Sequence, residues 1–147
     1  MRTKLKQRSL PDYTHGEEVF NMVSHIVGGG LGVVVLVLCI IRAAFHHNIL
    51  GVVGSAIYGT PMILLYTMSS IYHGLHNGTA KKVFQVLDHC TIYLLIAGTY
   101  TAVAFGAIAK VSPLTCWILF AVEWGLTELA VTLTDIDLTQ YRVFSMF

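Results

Sequence analysis

Apolar residues in this chain come in long unbroken runs, not at the short periods that mark half-buried strands or surface helices. The runs extend from Met22 to Ile41, from Ile49 to Tyr72, from Asp88 to Ala109 and from Leu114 to Leu133. A helix rising about 1.5 Å per residue needs about 20 residues to cross roughly 30 Å of hydrocarbon, and each run supplies them. Core helices of a soluble protein could imitate one such run. Four of them in 147 residues leave too little polar surface to wrap a water-soluble globule. The expected fold is all-α, an integral membrane helical bundle of about four transmembrane helices. It forms a single membrane domain over 1–147, with 1–21 as an N-terminal segment ahead of the helices at 22–41, 49–72, 88–109 and 114–133.

Small residues suit close helix contact in lipid: Gly28 and Gly32 stand four apart in the first run, and Gly51, Gly54, Ser55 and Gly59 spread along the second. Pro61 removes a backbone donor inside the second run and should kink it, whereas Pro113 fits the start of the fourth.

Composition agrees with a lipid solvent, since 55% of residues are hydrophobic and only 12% charged, against about a quarter charged in soluble domains. A net charge of +1 without a concentrated basic face argues against a nucleic-acid partner. The expected partners are membrane lipid and, as an open alternative, a second copy in a homo-oligomer. Cys39, Cys90 and Cys116 all lie in apolar runs and read as free thiols. The basic start MRTKLKQRSLPD resembles the charged start of a secretory signal, but the apolar core begins only near Met22 and lacks a cleavage site, so the N-terminus is expected to be retained.

Positive charge sets the orientation. Arg2, Lys4, Lys6, Arg8, Lys81, Lys82 and Arg142 gather at one end of the helices, against Arg42 and Lys110 at the other. Seven against two places the N-terminus in the cytoplasm of a multi-pass cell-membrane protein.

That topology brings three polar groups to one depth at the cytoplasmic end. Glu18, Asn21 and His25 are spaced three and four apart, on one helical face. Ser69 and His73 are four apart, with His76 beyond them, and Asp88 precedes His89. Ionisable groups near membrane depth are costly to desolvate and normally pair, bind metal or line water. Taken singly, Glu18, His76 and His89 are equally well explained as helix-end groups reaching water. His73 with Asp88 and Ser69 is better read as a site: imidazole is a zinc ligand, a carboxylate can orient or deprotonate water, and a serine one turn away can hold the carboxylate or ligand. His46 and His47 fall in the opposite loop and read as solvated. Glu123 and Glu128, five apart in the fourth run, are either protonated or packed inward, or else that segment sits poorly in lipid.

The motifs E-V-F-N-M-V-S-H, S-S-I-Y-H and D-H-C-T-I-Y-L-L-I-A-G-T-Y-T, in this order over about residues 13–120, resemble those of hemolysin III proteins in the progestin and adipoQ receptor superfamily. The resemblance implies a seven-helix membrane fold with a cytoplasmic N-terminus. It also implies a zinc site in which His73 is one ligand, Asp88 the carboxylate near the metal-bound water and Ser69 a supporting group. Two further ligands would come from an H-x-x-x-H motif on the last helix. The related alkaline ceramidases suggest a zinc-dependent lipid amide hydrolase, while the family name suggests a membrane-perturbing, cytolytic protein as the alternative. The superfamily name adds a receptor or sensor as a third class. The stretch after Trp124 looks unlike the family and holds no histidine, so the expectation is a truncated, frameshifted or fragmentary copy with one of three ligands. The local set His25, His73, His76, His89 and Asp88 could replace the missing ligands only if those side chains converge.

Overall fold

The computed structural model describes residues 9–136. The basic residues Arg2, Lys4, Lys6, Arg8 and Arg142 and the tail from residue 137 lie outside the described residues. Four helices follow one another: α1 (His15–Phe45), α2 (Ile49–Gly74), α3 (Thr79–Gly106) and α4 (Pro113–Ile136), with a single 3-10 turn at Ile108–Lys110 between the last two. All four are long and apolar enough to cross a membrane. The protein is therefore an all-α, multi-pass membrane bundle.

Two helices begin earlier than the apolar runs. The first starts at His15 rather than Met22, because Thr14 and Glu17 form a capping box: Glu17 N–H donates to Thr14 Oγ1 at 3.3 Å and Thr14 N–H donates to Glu17 Oε2 at 2.7 Å. The third starts at Thr79 rather than Asp88, since Asn77 and Gly78 supply the break and the sequence TAKKVFQVL contains nothing that interrupts a helix. Lys81 and Lys82, counted above as loop charges, thus belong to the first turns of α3. Pro113 opens α4, the position where a missing N–H costs nothing.

Helix packing runs only between chain neighbours: α1 on α2, α2 on α3, α3 on α4. Among the described residues the helices form an open row rather than a closed bundle, and α1 buries little beyond Gly32 and its seam with α2. Along that seam Gly28 lies under the Tyr66 ring; a Cβ there would come within 2.8 Å of the ring.

The α2–α3 crossing is tighter. Pro61 cannot donate to the carbonyl of Ile57, four residues back, and α2 passes through Pro61 without interruption. That same carbonyl faces Gly98 of α3, where a Cβ would stand 2.6 Å from Ile57 O and 3.3 Å from Tyr58 Cα. Glycine at this point lets the two backbones touch.

The α3–α4 seam combines apolar and polar contacts. Ala104, Phe105 and Cys116 are buried together, and Phe105 stacks on Phe120 with ring centroids 5.7 Å apart. Trp124 Nε1–H donates to Thr101 Oγ1 at 3.1 Å and Thr127 Oγ1–H to Tyr93 O at 3.4 Å, so polar atoms at hydrocarbon depth are satisfied across the interface. Glu123 is half-buried and Glu128 exposed on the outer side of α4. Cys39, Cys90 and Cys116 form no disulfide.

Candidate functional site

The first turns of α1 and α3 and the last turn of α2 meet at one end of the row. The early start of α1 puts Glu18 inside the helix, and the early start of α3 puts Lys81 two turns ahead of Asp88, on the same face. These two extensions allow three helices to share one ionic cluster.

Its centre is Glu18. One carboxylate oxygen accepts from His73 Nδ1 at 2.6 Å and the other from Lys81 Nζ at 2.7 Å. A carboxylate accepts hydrogen bonds, so Nδ1–H of His73 is the donor, and in the neutral imidazole Nε2 is then the lone-pair atom. Lys81 is only 3% exposed; it also donates to Leu75 O at 2.9 Å, capping the end of α2, and lies 5.1 Å from the centroid of the Tyr72 ring. His73 is boxed in by Tyr72 and Tyr13, at ring distances of 4.7 and 5.7 Å, and its side chain is 8% exposed. A buried imidazole with one nitrogen fixed to a carboxylate has a defined orientation.

The second group is Asp88, buried in α3, with Ser69, buried in α2, beside it. His89, His73 and His25 stand close enough to interact electrostatically with this carboxylate. His25 packs edge-on against His73 at 6.0 Å and against Tyr66 at 5.7 Å, and its Nδ1 is buried without a hydrogen-bond partner. Beside the cluster, Asn21 lines a cavity of about 330 Å³ with Tyr13, Gly16, Glu17 and Phe20.

The remaining histidines do not join. His89 Nδ1–H donates to the carbonyl of Gln85 on its own helix at 2.8 Å, His76 is exposed past the end of α2, and His46 and His47 are exposed at the far end of the row. The structure thus gathers Glu18, His25, Ser69, His73 and Asp88 and leaves Asn21 at the margin. It adds Lys81, Tyr13 and Tyr72, which sequence reading passed over. The spacing of seven between Lys81 and Asp88 was the signal available for Lys81.

A structural zinc ion takes four protein donors and a catalytic one three plus water. Among the described residues no three His, Cys, Asp or Glu side chains come together to hold a metal. The local set of His25, His73, His76, His89 and Asp88 does not converge, because His89 is tied to its own helix and His76 points out of the bundle. His73 is a single prepared donor, and these helices do not by themselves fit a zinc ion.

A model of the family described as haemolysin-III related matches residues 13–147. The match continues beyond residue 120 and through the stretch after Trp124, which had been expected to depart from the family. The chain is 42% identical to Hemolysin-3 of Bacillus cereus over 110 residues, 75% of this chain and 49% of that protein. It is 34% identical to a Hemolysin-3 homolog of Bacillus subtilis (strain 168) over 114 residues, 78% of this chain and 52% of that protein. The chain spans about half the length of these curated relatives. No solved structure matches it.

Proposed function

The chain belongs to the haemolysin-III-related family, and from that premise we propose that its polar cluster is part of a hydrolytic site for lipid amides at the cytoplasmic membrane face. The observation that carries this reading is the partly buried Glu18–His73 bond, which orients the imidazole and, in its neutral form, leaves Nε2 as the reactive atom. Lys81 supports Glu18 from the other side, and Ser69 stands beside Asp88. The site then offers two proton acceptors, Nε2 of His73 and the Asp88 carboxylate, either of which can take a proton from a water attacking an amide carbonyl. Tyr13, Phe20 and Val19 around the mouth are exposed and apolar enough to receive an acyl chain. Among the described residues His73 is the one prepared metal donor.

The relatives' names speak of hemolysis, and one feature favours that second reading. Apart from the Glu18–Lys81 pair, α1 packs only on α2 among the described helices and turns much of its apolar surface outward, as a helix that assembles with others in lipid would.

The deciding measurement is amide hydrolysis by the detergent-purified protein on a panel of long-chain ceramides, with zinc content determined on the same samples. Turnover that falls at least a hundredfold in His73→Ala and Asp88→Ala supports the hydrolytic reading. About one zinc per chain, lost in His73→Ala, would mean that donors beyond the described residues complete an ion on His73. Dye leakage from liposomes that survives both substitutions and chelation, with no turnover in the wild type, would replace hydrolysis with membrane perturbation.

A further inference from the structure

The end of the row opposite the ionic cluster carries positive charge that no carboxylate balances among the described residues. Residues 19–87 contain no Asp or Glu, nor do residues 89–122. The α1–α2 turn and the α3–α4 connection, which build this end, therefore bring Arg42, His46, His47 and Lys110 and no acid. Arg42 and Lys110 make no ion pair among the described residues. They come from different connections, yet both line one cavity of about 540 Å³, together with Cys39, His46, Asn48 and Ser55.

Several acceptors around this cavity are already used. His46 N–H donates to Arg42 O at 3.2 Å, Asn48 N–H to Ala43 O at 2.9 Å and His47 N–H to Ala44 O at 2.9 Å. Asn48 Oδ1 accepts from Gly51 N–H at 3.0 Å, and the Ser55 hydroxyl donates to Gly51 O at 2.7 Å. What remains for a ligand is mostly donors: the Arg42 guanidinium, the Lys110 ammonium and the Asn48 amide nitrogen. A cavity of donors without carboxylates selects an anion.

Depth then selects its source. Glu18 and Arg42 are 24 residues apart on α1, a separation of roughly 36 Å along the axis, so with Glu18 at one membrane face Arg42 stands at the other, at headgroup level. Below it α1 presents Leu38 and Ile41 to the outside, both exposed and apolar, in line with an acyl chain descending from the cavity.

We propose that this cavity binds the phosphodiester headgroup of an anionic membrane lipid, with Arg42 and Lys110 as its cationic contacts. The site is independent of the hydrolytic cluster, so either can fail without the other.

The test is native mass spectrometry of the detergent-purified full chain titrated with phosphatidylglycerol, phosphatidylcholine or inorganic phosphate. One phosphatidylglycerol should be retained per chain in preference to phosphatidylcholine. Retention should weaken about thirtyfold in the Arg42→Gln, Lys110→Gln double variant, and persist in Lys82→Gln at the other end. Lys110 is exposed on a short turn, so Lys110→Gln alone keeps the test valid if the double variant loses its helical circular dichroism; a several-fold loss is expected from it. Equal retention of both lipids, unchanged retention in the Lys110 variant, an equal loss in Lys82→Gln, or full displacement by millimolar inorganic phosphate would each overturn the proposal, the last by making this a free-anion site.

Discussion

Lys81 shows how a single side chain changes the meaning of a cluster. Buried and bonded to both Glu18 and the Leu75 carbonyl, it joins the start of α3 to α1 and to the end of α2. Removing one member of a buried ion pair leaves the other charge uncompensated and costs about 3 kcal/mol, whereas removing both often costs less. Lys81→Met is expected to destabilise the protein by about that amount, and Glu18→Gln in the same chain to recover part of it. Thermal unfolding in detergent checks this; no loss in Lys81→Met, or no recovery on adding Glu18→Gln, would count against the buried pair. The pairing of His73 with Glu18 was not legible from the sequence, although both residues were singled out. Spacing along each helix gives the face a residue occupies, but not which neighbouring helix that face meets.

Among the elements, the crossing of α2 and α3 sets the depth at which the site residues meet. Pro61 frees the Ile57 carbonyl, and Gly98 is the point at which α3 approaches it. A methyl group at Gly98 must push on backbone, not on a flexible side chain, and overpacking of this kind costs about 1–3 kcal/mol. Gly98→Ala is therefore expected to lower stability by that amount and to loosen the Ser69–Asp88 contact, which spans the same two helices. Gly30→Ala, where a Cβ would meet nothing within 4 Å, is the control; denaturant titration followed by tryptophan fluorescence separates them. The number of helices and the location of their apolar stretches could be read from the sequence. The starts of α1 and α3 could not, because hydropathy reports where lipid begins while the caps at Thr14 and Gly78 decide where the helix begins.

At the scale of the molecule, the open row has two chemically different ends: Glu18, His73, Lys81 and Asp88 at one, Arg42 and Lys110 at the other. The positive-inside rule predicts that the first end faces the cytoplasm. With the native cysteines replaced, a cysteine at His47 is expected to react with a membrane-impermeant maleimide on intact cells, and one at Asn77 only after permeabilisation. The reverse pattern would invert the orientation and move the lipid site to the cytoplasmic leaflet.

The sequence by itself determined that the protein is an all-α membrane bundle of the hemolysin III kind, and that Glu18, Ser69, His73 and Asp88 lie near one end of it. The family rests on the resemblance of three ordered motifs; the helical membrane fold and the placement of these residues rest on quantities that add up locally along the chain: hydropathy over a span, charge per loop, and the spacing of residues on a helix. Only the tertiary structure decided that Glu18 pairs with His73 and Lys81, that Ser69 stands beside Asp88, that His76 and His89 stay apart, and that Arg42 and Lys110 share a cavity. Each of these depends on how far a helix is rotated about its axis and shifted along it. Contacts such as Gly28 with Tyr66 and Gly98 with Ile57 fix those two variables, and they join residues far apart in sequence, whose meeting no local sum contains.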